Sequence, residues 1–372
     1  MTSEAEDNPK KDVRYIDTDV LTEAKTRIRH IIDTFDKIYV CFSGGKDSLV
    51  VLRLVEEVYG ELGIPDKIKV IFRDEELIPD DVIAFVQWHA KQPKYEFYYY
   101  AVPLWSEKFI LGKTHQYIQW DENRTWIRDK PDFAIKDSGG EVFSQHTMDE
   151  FSVRGVKGRI ALLNGIRTDE SLIRFRSVIN KKNECYISAS AIANVKLCKP
   201  IYDWSEKDVF KYFYDRGIKY CPIYDGQVWN RQALRVASPL HAESAKTFDK
   251  IKTLYPTFYQ QLIDLFPEML NQGRYWKEYD RHSIIMNYPK SWAGIIQYIK
   301  ENIEDLDLRK LAIRRVLESK KMRENKLARG EGLENYGGYP ILHVFKSIVA
   351  GQFERVIQAH AKPSQAERDY EA

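Results

Sequence analysis

Cysteine is scarce in this chain: 372 residues hold four, Cys41, Cys185, Cys198 and Cys221, and the sequence after Cys221 has none. No two are spaced as C-x-x-C, so there is no zinc-ribbon pattern and no ligand spacing for an iron–sulfur cluster; none is expected. So few thiols in so long a chain also exclude a disulfide-built scaffold and suit a reducing compartment. Net charge is lacking too. Lys and Arg number 57 against 55 Asp and Glu, a formal +2, which points to neither nucleic acid nor a membrane surface. No apolar run is long enough to span a bilayer, so no membrane partner is expected. The opening MTSEAEDNPKKD is polar and acidic, without an apolar signal-peptide core, and a cytoplasmic location is the expectation. What remains is a globular composition, 44% apolar and 30% charged, with length enough for two domains.

The most informative run is IYVCFSGGKDS, residues 38–48. Ile38 to Phe42 are apolar and β-prone and predict a buried strand. Ser43-Gly44-Gly45-Lys46-Asp47-Ser48 then leads into the apolar helix start Leu49-Val50-Val51-Leu52. A strand, a tight glycine turn and a helix N-terminus present backbone N–H groups where an anion is favoured. Gly44 and Gly45 tolerate positive φ and, lacking Cβ, let a phosphate approach the main chain. Ser43 and Ser48 add hydroxyls and Lys46 a point charge. The spacing is not that of a Walker P-loop. An ordinary serine-capped turn would share the outline.

Strands are expected at 37–42, 67–72, 96–102, 159–164 and near 196–201, with helices at 19–35, 47–60 and 79–91. Such alternation predicts a parallel sheet covered on both faces, with ligands at the carboxyl ends of its strands. Residues 103–158 read as an insertion or lid. The pattern turns helical from about 240, with a boundary near Ser238-Pro239. Tails are expected at 1–15 and after Pro363.

Three further segments carry chemistry. FRDEELIPDD, 72–81, ends the second strand in an acidic turn, with Arg73 and Asp74 available to a ligand; alone it also reads as a capped helix start. NGIRTDESLIRFR, 164–176, follows a strand with Gly165 and brings Arg167, Arg174 and Arg176 to its end, cations suited to phosphate or sulfate. Glu170 is placed to hold one of them. KPIYDWSEKDVFKYF, 199–213, reads as structural: Ser205 and Asp208 make a capping box, and Trp204, Val209 and Phe210 pack on the sheet.

SGGKDS resembles the PP-loop of the ATP pyrophosphatase superfamily. The other segments, with YCPIYDGQ at 220–227, resemble in order the phosphoadenosine phosphosulfate (PAPS) reductase-like branch over about residues 25–230. The last third resembles the domain that follows this module in prophage co-activators of the immunoglobulin-binding-regulator type. The first resemblance implies an α/β fold like the adenine-nucleotide α-hydrolases with a mainly helical C-terminal domain. It implies a nucleotide, ATP or PAPS, held by Phe42, Ser43, Gly44, Gly45, Lys46, Asp47, Ser48, Phe72, Arg73, Asp74 and Gly165, with the adenine against main chain of the first two strands around Phe42 and Phe72. Lys46, Asp47, Arg167 and Arg174 would act on it, and Mg²⁺ would bridge phosphates with Asp47 as ligand or anchor. The reaction implied is cleavage between the α- and β-phosphates with adenylation of an acceptor; sulfonucleotide reduction or sulfur transfer is the alternative. The second resemblance implies a nucleotide-sensing regulator with a ParB-like partner, in a prophage or phage-defence setting.

The pattern breaks at cysteine. True sulfonucleotide reductases carry a nucleophilic cysteine near the C-terminus, and here that region has none. Cys221 is the one cysteine in a loop expected near the pocket and reads either as a nucleophile or as a small buried residue. Cys41, inside the first strand, is expected to be packing. Farther on, nine Lys and Arg lie between Arg309 and Arg329, after four acids in 301–307. They read as a nucleic-acid contact or as a solvated face. His343 and the other scattered histidines show no metal-ligand spacing.

Overall fold

The computed structural model describes residues 16–170, 174–175, 178, 184–231, 234, 236, 238–279, 281–360 and 364–371. The tail at 1–15, Pro363 and Arg176 lie outside the described residues. The chain divides into two compact units, the second made of Leu270–Ala372 with Leu111–Lys113. The composition change near Ser238-Pro239 falls inside the first unit, which continues to Met269.

The first unit is built on a six-stranded sheet, ordered β3-β2-β1-β6-β8-β7. Its strands are β1 (Lys37–Cys41), β2 (Ile68–Arg73), β3 (Tyr95–Tyr100), β6 (Ile160–Leu163), β7 (Ile187–Ala189) and β8 (Val195–Cys198). All neighbouring pairs from β3 to β8 are parallel, and β7 is an antiparallel edge. The expected α/β class is the one observed. The period of two along each strand assigns its residues to opposite faces. Val40, Phe42, Val70, Phe72, Tyr99, Ala161 and Leu163 join one core. Tyr39, Ile71, Tyr100, Ile160 and Leu162 join another.

The first face is covered by α1 (Val20–Thr34), α2 (Lys46–Leu62), α3 (Asp80–Ala90) and α5 (Glu206–Arg216), whose buried apolar residues belong to that core. The second is covered in part by α4 (Gln145–Ser152), through Met148. The expected capping box at α5 is present: Ser205 Oγ accepts from the Asp208 N–H at 3.2 Å, and Asp208 accepts from the Ser205 N–H at 2.7 Å. Trp204 is buried, and its indole N–H donates to the Val20 carbonyl. Residues 103–158 hold a β-hairpin, β4 (Leu104–Ile110) with β5 (Lys113–Gln119), and α4. Trp120 from this segment is fully buried against the first core, so part of the expected insertion is core.

The second unit is helical, with Ile295, Ile299, Ala312, Val316, Leu342, Val344 and Phe345 at its centre. The basic segment lies mostly on the helix Leu306–Ala328. Several of its cations meet oxygens of the same unit: Arg315 with Glu318, Arg323 with Glu371, and Arg309 with the Ile303 carbonyl. Where a frayed end is expected, the helix Gln365–Glu371 forms, with Glu367 and Tyr370 buried.

Candidate nucleotide site

A cleft of about 450 Å³ opens at the carboxyl ends of β1, β2 and β6. Its walls include Phe42, Ser43, Gly45, Lys46, Asp47 and Ser48 from the first turn, and Arg73, Gly165 and Arg174. Gly44 has φ +76°, and a Cβ there would sit 2.8 Å from Val86. The glycine thus lets the turn press on α3 and reverse into α2. It packs on the helix and does not line the cleft.

α2 begins at Lys46 with Gly45 as its N-cap, which has no side chain to cap it. The first four amides of such a helix have no intrahelical acceptor. The Gly45 N–H finds Ser43 Oγ at 3.3 Å, and the Lys46 N–H finds the Tyr224 hydroxyl at 2.7 Å. Ser43 Oγ and Ser48 Oγ lie 3.0 Å apart, which fixes the loop across its mouth. Gly165 is what allows β6 to end here: a Cβ would stand 2.6 Å from Asp47 C and Ser48 N. Main chain of 164–166 therefore touches the first turn of α2.

The charges interlock. Arg167 is buried, and its Nε donates to Asp47 Oδ1 at 2.6 Å. Lys46 Nζ donates to Asp47 Oδ2 at 3.1 Å and to the Leu234 carbonyl at 2.8 Å. Both oxygens of Asp47 are thus engaged by cations, and Asp47 is an anchor of the loop. Arg167 acts through Asp47 and does not line the cleft. Arg174 does line it and pairs with Glu170. Arg73 lines it as well and pairs with Asp149 of α4.

Besides Gly44, two expected ligand residues lie elsewhere, for one reason. Alternation along β2 turns Ile71, Arg73 and Glu75 toward the cleft, and Phe72 and Asp74 away from it. Phe72 is buried in the core against Tyr99, with ring centroids 4.8 Å apart, so its side chain does not face the cleft. Asp74 is buried, accepts from the Tyr99 hydroxyl at 2.6 Å and pairs with Arg128. Burial pushes its carboxyl up against the pull of Arg128. Phe42 does line the cleft.

The sequence reading passed over Glu75, which lines both this cleft and a smaller cavity shared with His241, Ser106 and Gln119. Its carboxyl is pushed up by burial, opposed by His241 and Arg73. The carboxyl itself makes no hydrogen bond or ion pair among the described residues. Strand parity was the signal that separates it from Asp74. Tyr224 was also missed as a site residue. Cys41, expected as packing, lines the cleft, and burial raises its thiol. Cys221 is fully buried, its thiol pushed up to about 12 by burial.

A family model for the phosphoadenosine phosphosulfate reductase domain matches residues 37–262. The chain is 29% identical over 224 residues to the uncharacterized protein YbdN of Escherichia coli strain K12, over 55% of this chain and 54% of that one. The match thus spans about half the length of that relative. Solved structures that align include FMN adenylyltransferase of Candida glabrata, at 13% identity over 55% of this chain and 57% of that one, TM-score 0.38. PAPS reductase of Candida auris aligns at 14% identity over 60% and 97%, TM-score 0.34. The U34-tRNA thiolase NcsA of Methanococcus maripaludis, solved with its [4Fe-4S] cluster, aligns at 14% identity over 69% and 82%, TM-score 0.33.

Proposed function

This chain belongs to the phosphoadenosine phosphosulfate reductase domain family, and on that premise we propose that its strand-end cleft binds the polyphosphate of an adenine nucleotide. The reading is carried by one observation: β1 and β6 converge on the N-terminus of α2, with Gly165 set against the Asp47–Ser48 peptide. The cleft there opens at a helix N-terminus with the Lys46 ammonium buried beside it, a favourable place for phosphate oxygens. We propose ATP as the nucleotide and attack on its α-phosphorus as the reaction. An acceptor oxygen forms the new bond, the bond to the bridging oxygen breaks, and pyrophosphate leaves with that electron pair. Arg174 and Lys46 offset charge on the phosphoryl oxygens. Arg167 is a positioning residue, since it reaches the loop through Asp47.

Asp47 does not fit as a magnesium ligand, because Arg167 and Lys46 already hold both its oxygens. Mg²⁺ is bound mainly through substrate phosphates with one or two carboxylates. Glu75 fits that part, as a cleft carboxylate without a hydrogen bond among the described residues. The ion would supply neutralisation of phosphate charge.

A PAPS reductase reading is disfavoured by the thiols. Cys221 is sealed in the core, and burial works against the thiolate of Cys41.

The test is calorimetry with ATP and PAPS, with pyrophosphate release followed in parallel. Ser43→Ala with Lys46→Ala is expected to weaken nucleotide binding at least tenfold, since each charge-assisted contact contributes roughly 1.5–3 kcal/mol. Unchanged affinity in a folded double variant would sink the nucleotide-site reading. Binding without pyrophosphate release would refute the reaction and leave a nucleotide sensor.

A further inference from the structure

Helix Ile341–Val349, His360 and helix Gln365–Glu371 bring three metal-ligating side chains together in the second unit. One potential ligand atom from each of His343, His360 and Glu367 lies within 4.8 Å of the other two. The imidazole rings of His343 and His360 have centroids 5.0 Å apart. The residues are 17 and 7 positions apart in the chain, so the sequence shows no metal-ligand spacing.

Each group is held in a way that suits a ligand. His343 Nε2 lies 3.0 Å from the Gln358 carbonyl oxygen. A carbonyl only accepts, so Nε2 carries the hydrogen and the lone pair resides on Nδ1. Metal-bound histidines are oriented by this kind of backbone contact. His360 is fixed by its own N–H, which donates to the Gly338 carbonyl at 2.7 Å. Its Nδ1 is buried and has no hydrogen-bond partner. Glu367 is 3% exposed. One of its carboxylate oxygens accepts from the Ser364 N–H at 2.8 Å, and the other stands 3.5 Å from His360 Nδ1.

A buried ring nitrogen with no hydrogen bond, facing a buried carboxylate, costs free energy that a shared cation offsets. Two ligands about 2.1 Å from a tetrahedral zinc ion stand roughly 3.4 Å apart. The His360–Glu367 separation already has that value. Two imidazoles and one carboxylate suit zinc and its d-block neighbours, whereas Mg²⁺ and Ca²⁺ favour oxygen alone.

We propose that His343, His360 and Glu367 form a zinc site, with water in the fourth position, that clips helix Gln365–Glu371 to helix Ile341–Val349. It is independent of the nucleotide cleft. A metal bound only by the folded chain stabilises it.

The test uses the full chain, stripped with EDTA and dialysed against micromolar free Zn²⁺. Wild type is expected to retain close to one zinc per chain by elemental mass spectrometry and to gain several degrees in Tm. His343→Gln and His360→Gln should lose both effects while keeping the far-ultraviolet spectrum of a folded chain. His146→Gln, an exposed histidine of the first unit, should keep them. Cobalt substitution of wild type should give the intense visible bands of a tetrahedral site, a readout that does not depend on any variant. Zinc content that is equal in wild type and both variants overturns the proposal, as does the pale spectrum of hydrated cobalt.

Discussion

Gly165→Ala probes the contact on which the cleft depends. The new Cβ would meet Asp47 C and Ser48 N at 2.6 Å and Asp47 O at 2.8 Å. Unstrained carbon contacts begin near 3.5 Å, so the strand end and the helix must separate by about 1 Å. All three atoms are backbone within the first turn of α2, and none can swing aside as a side chain would. Overpacking of this kind costs about 1–3 kcal/mol. For a domain of this size each kcal/mol lowers Tm by about 2–4 °C, so a fall of roughly 2–12 °C is expected. The displaced turn also carries the amides that would face phosphate, so ATP affinity should fall with it. Gly60→Ala is the control. Gly60 lies inside α2 with no heavy atom within 4 Å of a new Cβ, and alanine there should stabilise by about 0.5–1 kcal/mol. Differential scanning fluorimetry and calorimetry read both variants. A Gly165→Ala chain with wild-type Tm and wild-type ATP affinity would refute the claim that this approach shapes the site.

Two other outcomes follow from buried titratable groups. His89 is fully buried, donates from Nδ1 to the Phe85 carbonyl at 2.8 Å, and is held down to about 4 from 6.5, chiefly by burial. Its folded value lies below its unfolded one, so the unfolded chain binds more protons in between and stability falls as pH drops through 6.5 toward 4. The loss should be about 2 kcal/mol from pH 7.5 to pH 5. Urea denaturation of His89→Gln should show that part of the slope gone, and an unchanged slope would count against it. Cys221, with its thiol at about 12, should resist iodoacetamide at pH 8 until guanidinium unfolds the chain. Peptide mass spectrometry that finds Cys221 alkylated at the rate of a free thiol in the native protein would contradict its burial.

The parts legible in the sequence are those set by local rules. β1, its glycine turn and α2 follow from an apolar run, two adjacent glycines and a helical apolar period. The α5 capping box follows from Ser205 and Asp208 three positions apart. What escaped depends on partners distant in the chain. Asp74 sits in an acidic turn that looks available to a ligand, but Arg128 and Tyr99 claim it from 54 and 25 residues away. Arg167 looks like a phosphate-binding cation, yet Asp47, 120 residues earlier, occupies it. β5 carries four exposed residues in succession, Lys113 to Gln116, and has no hydrophobic alternation to announce it. Phe72 was decidable from sequence. Placing Ile71 at the ligand end of β2 puts its neighbour on the opposite face.

Tyr224 changes how contacts in the cleft convert to affinity. Its hydroxyl already accepts from the Lys46 N–H, and burial holds the phenol in its neutral form. An anion that takes this amide exchanges one acceptor for another. The gain is only the margin of a charge-assisted bond over a neutral one, minus whatever the evicted phenol fails to recover. A tally of phosphate–amide bonds would therefore overstate binding strength. On the proposed reading Tyr224 would act as an internal competitor, and an anion at that amide would displace an oxygen carried by the helix Ile223–Trp229.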